Sequence, residues 1–405
     1  MATIVTHRPH RFAIDRFLYN RKLAFFLWFG LSLFVGIQVV LSNGFNNYRI
    51  YRGVFYHLVQ GVNLYLEYPA EYQDVNLYGP VFGLLIAPFA LLPVKAGLLL
   101  WVMANVAFLC YAILQLPLKW HWKTALILLN ANEMMHSTGY TQINGLVCGC
   151  ILLGFAFVHK EKEWAALFFI LLATFIKVYG IVGFVFFFFS SRPTRFLLWT
   201  VIWTVFFFLA PLLLTNMHFI IQCYRDWAVG LAHKSMKNNG VGVDNLYQNI
   251  SVMGMGHRIF HAPYFKDISV TLAGGLLFLS QMWHFRHFKD IRFQYYILAS
   301  LLLFTVIFSN SAEACTYIIA VPGMCLWWFL QPKTKLNNGV FLLLFLFITL
   351  GYSDLFGPWF RKEVMRPYAL KALPAFMVWM IILLQIHSRQ FLKALSPKGE
   401  NLQAI

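Results

Sequence analysis

The 405-residue chain is 60% apolar and 18% aromatic, but only 12% of its residues are charged. A soluble globular domain carries about 25% charged residues, so the composition excludes that class and indicates an integral membrane protein. The formal net charge is +17. No basic surface with interleaved aromatic residues occurs outside the apolar runs, and we expect no nucleic-acid partner.

Apolar runs separated by short charged clusters occupy most of the chain. Many have roughly 16 to 21 residues, close to the length that a helix needs to cross the hydrocarbon core. These runs must be helical because no water is available to their backbone amides, and fully apolar stretches such as residues 184–189 lack the alternation of a β-barrel. The sequence predicts an all-α, polytopic membrane bundle, with residues 1–405 forming a single transmembrane domain. The twelve predicted spans cover about residues 23–42, 95–115, 124–139, 144–158, 164–176, 178–190, 196–214, 268–284, 295–310, 313–330, 338–353 and 372–388.

The distribution of basic residues predicts the orientation of the bundle. These spans alternate the loops between two sides, and 19 of the 32 Lys and Arg residues lie in short loops and tails on the side that holds the N-terminus. Short loops rich in Lys and Arg face the cytoplasm. We therefore expect a multi-pass protein of the plasma (inner) membrane with both termini in the cytoplasm.

Three longer segments lie on the predicted extracytoplasmic side, at residues 43–94, 215–267 and 353–371. In the first, residues 50–65 have the pattern of an amphipathic helix that is interrupted or ended by Gly61. Residues 80–92 form a proline-flanked apolar run that is too short to span. We expect both to be interfacial helices that lie along the membrane surface.

Short motifs in this first segment are ordered as in a known enzyme family. They are Asn47-Tyr48-Arg49-Ile50-Tyr51-Arg52-Gly53, Gly61-Val62-Asn63-Leu64-Tyr65, Tyr78-Gly79-Pro80-Val81-Phe82, Pro88-Phe89-Ala90-Leu91-Leu92-Pro93, and Trp101 with Asn105. With Gln142-Ile143-Asn144 and the lone Lys177, they resemble glycosyltransferase family 87, closely over residues 44–105 and loosely over the whole length. The resemblance implies a GT-C-like bundle that transfers a sugar at the extracytoplasmic face from a polyprenyl-phosphate carrier to a glycolipid or glycan.

The resemblance further implies inverting transfer of a hexose such as mannose, or of a pentose. It implies no certain cofactor besides the polyprenyl-phosphate-sugar donor, and it leaves a divalent metal requirement open. No metal-ligating residues are predicted.

One departure from the family pattern concerns the catalytic base. The family has an aspartate where this chain has Asn47, and an amide cannot take a proton from an acceptor hydroxyl. We expect Asp74 to supply the base, because it lies four residues before Tyr78, with Glu71 as the next candidate. The alternative is that both are ordinary solvated loop acids.

Lys177 is the strongest candidate for binding the donor phosphate. An unpaired ammonium in apolar sequence is costly, and Lys177 lies between two apolar runs that could form a helical hairpin. A lysine that extends to the membrane surface is the alternative. Other predicted substrate-binding residues, which could equally stabilise helix contacts, a helix terminus or a mobile loop, are Gln142, Asn144, Tyr51, Tyr78, His233, Lys234, Arg258 and Glu313.

Two other functions remain open at this level. Lys177 and Glu133 could line a translocation path in a transporter or flippase of a lipid-linked sugar. A non-catalytic membrane assembly partner would follow if Asn47 marks lost activity. Glu133 and His136, three residues apart, are expected to form a buried pair whose hydrogen-bonding groups are satisfied, rather than a metal site.

Overall fold

A computed structural model describes residues 17–238, 246–260 and 266–392. Both termini, whose cytoplasmic location is predicted, lie outside the described residues, as does part of the 215–267 segment. Every regular element in the described part is helical. The α-helices are α1 (Arg21–Ser42), α2 (Asn46–Gln60), α3 (Val81–Ala90), α4 (Val94–Gln115), α5 (Trp120–Gly139), α6 (Asn144–His159), α7 (Glu163–Ile176), α8 (Pro193–Leu209), α9 (Met217–Asn238), α10 (Val252–Phe260), α11 (Asp267–Ser280), α12 (Ile291–Ile307), α13 (Ala320–Phe329), α14 (Lys335–Leu350) and α15 (Ala372–His387).

Helical segments coincide with all of the predicted spans. In the described part, four are long and apolar enough to cross a membrane: Arg21–Ser42, Val94–Gln115, Pro193–Leu213 and Asp267–His287. Most of the others are apolar helices of 10–17 residues, and a 16-residue α-helix is only about 24 Å long. The membrane-helical class is therefore supported, while the count of twelve spans stays a prediction.

The long apolar helices differ in how much of their surface the protein covers. Of the 18 most apolar consecutive residues in α4, 56% are buried. In each of Pro193–Leu213 and Asp267–His287, only 17% of the corresponding 18 residues are buried. A helix that is apolar all round and uncovered by protein suits contact with lipid. The bundle thus has α4 near its centre and the other two helices at its periphery.

The first of the longer segments contains the two predicted short helices. α2 ends at Gln60 because Gly61 follows with φ +67°, a left-handed conformation that glycine adopts without steric cost. α3 follows at Val81–Ala90. Both helices are confirmed; their position along the membrane surface stays a prediction.

Basic residues from several loops gather at one end of the bundle, here called the basic end. The guanidinium of Arg21 lies 4.5 Å from the centre of the Trp120 ring, and Lys123 Nζ donates to the carbonyl of Leu114 at 2.7 Å. Lys160 Nζ donates to Gln115 Oε1 at 2.7 Å. These contacts place the predicted cytoplasmic loops together.

Helices α6 and α7 connect the basic end to the opposite end of the bundle. α6 begins at Asn144 and reaches the basic end at His159, a length of about 24 Å. α7 returns from Glu163 to Ile176, after which Lys177 adopts an extended conformation and a 3₁₀ segment, Val178–Phe189, begins. The predicted break at Lys177 is therefore present, and it brings Lys177 back to the end where α6 starts.

Candidate active site

A line of hydrogen bonds joins the first long segment to the start of α6. The hydroxyls of Tyr51 and Tyr78 are 3.2 Å apart, and Tyr78 Oη donates to Gln142 Oε1 at 3.4 Å. Burial raises the pKa of both tyrosines, so their hydroxyls stay protonated and can donate. Three residues predicted from separate motifs thus meet at one place.

Glu313 continues this line from the other half of the chain. Its Oε2 accepts from Gln142 Nε2 at 3.3 Å and from Cys315 Sγ at 3.4 Å, and its Oε1 accepts from Gln248 Nε2 at 2.6 Å. These donors are all uncharged. Glu313 is half-buried, so its carboxylate is held in place without being enclosed.

Lys177 lies on the other side of Cys315. Its Nζ donates to Asn144 Oδ1 at 2.8 Å and lies 4.7 Å from the centre of the Tyr179 ring. Asn144 Nδ2 is 4.0 Å from Cys315 Sγ. Burial lowers the pKa of Lys177, and the Glu313 carboxylate opposes this shift by attracting the ammonium. We call the group Tyr51, Tyr78, Gln142, Asn144, Lys177, Gln248, Glu313 and Cys315 the polar cluster.

Asn47, at the family's base position, borders this cluster. It is half-buried, and its Nδ2 donates to the carbonyl of Tyr140 at 2.8 Å, two residues before Gln142. An ionised aspartate at this position could not make this bond, because a carboxylate has no hydrogen to donate. The asparagine is therefore integrated into the structure as a donor.

The two acids predicted as bases lie in the exposed part of the first segment. Asp74 Oδ2 is 3.8 Å from Lys234 Nζ, its Oδ1 accepts from the Val75 amide, and its side chain is 56% exposed. Glu71 Oε2 is 3.1 Å from His57 Nε2, and its side chain is 52% exposed. Among the contacts of the described residues, none joins either carboxylate to the polar cluster.

The other predicted substrate-binding residues, Arg258, His233 and Lys234, lie outside the polar cluster. Arg258 is buried, and its guanidinium donates to the carbonyls of Gln248 at 2.7 Å and Arg366 at 3.0 Å. It therefore supports the residue that holds Glu313. His233 is exposed on α9, and the adjacent Lys234 pairs with Asp74.

A buried ion pair below the cluster was not expected from the sequence. Lys371 Nζ donates to Glu133 Oε1 at 3.1 Å, to Glu133 Oε2 at 3.0 Å, and to the carbonyl of Ala314 at 3.1 Å. Both side chains are only 1% exposed. The expected pairing of Glu133 with His136 is wrong, since Lys371 takes both carboxylate oxygens. A lone carboxylate within the predicted span 124–139 was the signal for this pair.

The described residues contain no group of three or more His, Cys, Asp or Glu side chains that could hold a metal ion. The side chains of the cluster supply a carboxylate, an ammonium, amides, phenols and a thiol. Together they can accept a proton, bind an anion and donate hydrogen bonds to hydroxyls.

The fold and this cluster define a helical membrane protein with a polar site at one end. The model of glycosyltransferase family 87 matches residues 76–310, more than half of the chain, and the chain belongs to this family. No curated protein matches the chain. Family membership indicates glycosyltransferase activity in a membrane protein. The match contains Tyr78, Gln142, Asn144 and Lys177, whereas the stretch around Asn47 and Tyr51 precedes it and Glu313 follows it.

Proposed function

We propose that this chain moves a sugar from a polyprenyl-phosphate carrier to a glycolipid or glycan acceptor, with inversion at the anomeric carbon. The single observation that supports this function best is the polar cluster, in which one carboxylate and one ammonium are linked through Cys315 and Asn144. Transfer from a lipid phosphate requires a base for the acceptor and a cation for the departing phosphate. We propose that the donor is a hexose such as mannose, or a pentose.

Glu313 is the proposed base. Its carboxylate takes the proton of the acceptor hydroxyl as that oxygen bonds to the anomeric carbon. The bond between the anomeric carbon and the phosphate oxygen breaks, and the phosphate leaves with both electrons of that bond. Gln142 and Gln248 orient the carboxylate through hydrogen bonds, and neither bond neutralises its charge.

Lys177 is the proposed phosphate-binding residue. Its ammonium has an amide oxygen and an aromatic ring as neighbours, so it can still bind an anion. A phosphate placed beside it gains charge-assisted hydrogen bonds as negative charge builds on the leaving oxygen. Gln142 and Asn144 are proposed to contact sugar hydroxyls.

Asp74 stays the alternative base, with Glu71 after it. The structure favours Glu313 because Asp74 is exposed and lies near a lysine, whereas Glu313 belongs to the cluster that contains Lys177. The proposed roles for His233 and Lys234 at the donor headgroup rest on the polar and basic composition of their segment.

We further propose that the cluster faces the extracytoplasmic side and that residues 1–405 form one transmembrane domain. The gathering of Arg21, Lys123 and Lys160 at the opposite end supports this orientation. Glu71→Cys provides the test, because that side chain is 52% exposed. A membrane-impermeant thiol reagent should label it in cells with an accessible outer face; labelling only after lysis would reverse the orientation.

The decisive experiment is transfer of radiolabelled sugar from polyprenyl phosphate by the purified protein in vesicles. We expect a labelled glycolipid or glycan that depends on Glu313. Movement of the labelled donor across the bilayer without a product would instead identify a flippase. Glu133 gives that alternative no support, because it is buried in its pair with Lys371.

A further inference from the structure

A second concave site lies on another face of α2. Its cavity has a volume of about 370 Å³ and is lined by residues of α2, of the loop before α3 and of the first turn of α4. The lining residues are Phe45, Arg49, Arg52, Gly53, Tyr56, Glu71, Tyr72, Val94 and Lys95. On α2, Arg49, Arg52 and Tyr56 follow the i, i+3, i+7 spacing of one helical face, whereas Tyr51 bonds to Tyr78 in the polar cluster. The cavity is therefore separate from that cluster.

The charge of this cavity is strongly positive. It contains the cations Arg49, Arg52 and Lys95 against one carboxylate, Glu71. His57 Nε2 lies 3.1 and 3.3 Å from the two oxygens of that carboxylate. The cavity thus has a surplus of cations for an anionic ligand.

Two of these cations have defined positions. Arg52 Nη1 donates to the carbonyl of Leu92 at 2.9 Å, and its Nη2 to Tyr56 Oη at 3.4 Å. The guanidinium of Arg49 lies 5.1 Å from the centre of the Phe45 ring. A guanidinium held by some of its donors can present the others to phosphate oxygens.

The position of α4 indicates the depth of the cavity. Val94–Gln115 is one of the helices long and apolar enough to span. The predicted span places its first turn, with Lys95, where the hydrocarbon core meets the lipid headgroups. Beside it, Leu91 is 68% exposed and Val94 is 38% exposed. A cationic cavity next to exposed apolar side chains suits a ligand with a phosphate and an acyl or isoprenyl chain.

We propose that this cavity binds the phosphate of a membrane lipid, at a site separate from the one where sugar transfer occurs. The inference goes beyond the proposed transfer and is independent of it, because it depends only on the cavity and the spanning helix. The phosphate could come from a bilayer phospholipid or from a polyprenyl carrier. These two sources differ in their chains and can be separated by experiment.

The test measures binding by native mass spectrometry of the purified full chain. The probes are dioctanoyl phosphatidylglycerol, farnesyl phosphate and inorganic phosphate, and the variant is Arg49→Gln/Lys95→Gln, since both side chains are exposed. We expect the wild type to bind one of the two lipid probes, and the variant to bind it about 10- to 30-fold more weakly, because each basic residue near a membrane surface contributes to the attraction. Lys335→Gln is the matched control, since it removes an exposed first-turn lysine from another apolar helix.

The outcomes separate clearly. Loss of phosphatidylglycerol binding in the double variant alone assigns the cavity to bilayer phospholipid, and loss of farnesyl phosphate binding alone assigns it to the carrier. Equal lipid binding by the wild type, the double variant and Lys335→Gln would overturn the proposal, as would binding of inorganic phosphate without either lipid. A matched unfolding temperature for the two variants shows that a lost complex reflects the cavity and not the fold.

Discussion

Glu313 and Asp74 are carboxylates near the same end of the bundle, yet their surroundings differ. Glu313 is half-buried and accepts hydrogen bonds from two side-chain amides, from a thiol and, as a helix-capping residue, from the backbone N–H of Thr316. Asp74 is 56% exposed and lies 3.8 Å from an ammonium. Exposed ion pairs of this kind contribute little to stability, and solvent competes for the carboxylate. Asp74 is thus nearer in sequence to the family motif, whereas Glu313 has the partners that hold a carboxylate in one orientation.

The largest expected effect separates these two carboxylates directly. Glu313→Gln keeps the shape of the side chain but removes the proton acceptor, so we expect transfer to fall about 10²–10⁴-fold while donor binding survives. The measurement is labelled sugar transfer in vesicles, with donor binding measured on the same sample. Asp74→Asn is the matched variant and should retain transfer. Loss of transfer in Asp74→Asn, with activity kept in Glu313→Gln, would return the base to Asp74.

A second prediction extends the comparison to a fully buried carboxylate. Lys371→Met leaves Glu133 without its partner, and breaking a buried pair costs about 3–5 kcal/mol in the free energy of unfolding. Replacing both residues, as Glu133→Gln/Lys371→Met, should recover most of this loss, because the pair's desolvation cost also disappears. Detergent unfolding titrations provide the measurement. An unchanged free energy of unfolding in Lys371→Met would show that the pair is not formed.

The third prediction concerns the ammonium of the polar cluster, which belongs to Lys177. Lys177→Ala removes the proposed phosphate-binding ammonium, and the loss of a charged hydrogen bond should weaken donor binding about 10- to 100-fold. Lys237→Ala removes an exposed lysine of α9 and should leave binding unchanged. Normal donor affinity in Lys177→Ala would remove Lys177 from the proposed site.

The sequence predicted the helices well, because long apolar runs in a membrane protein have few alternatives to helix. It also predicted Gln142, Asn144 and Lys177 as substrate-binding residues from short motifs in the family order; the structure brings them into one cluster, and their role stays a prediction. It could not predict how Glu313 reaches Gln142, because 171 positions separate them and only tertiary packing brings them together. The pairing of Glu133 with Lys371, 238 positions apart, was missed for the same reason.

The smallest expected effect concerns the residue that departs from the family pattern. Asn47→Asp removes the donor that bonds to the carbonyl of Tyr140 at 2.8 Å, and a carboxylate facing a carbonyl cannot replace it, so we expect a loss of about 1 kcal/mol in the free energy of unfolding. Asn46→Asp is the matched control, because Asn46 Nδ2 also donates to a backbone carbonyl, that of Gln73, at 2.7 Å. The two variants should lose similar stability and keep transfer close to that of the wild type.

The same substitution then tests whether position 47 still reaches the acceptor. In the Glu313→Gln background, Asn47→Asp places a carboxylate at the border of the polar cluster, whereas Asn46→Asp places one at a neighbouring site that bonds to Gln73. Recovery of transfer by Asn47→Asp alone would show that positions 47 and 313 serve one acceptor, so that Glu313 has taken over the task of the family aspartate. Equal recovery by both variants would instead mean that any added charge on this turn of α2 suffices, and the assignment of a relocated base to Glu313 would lose its basis.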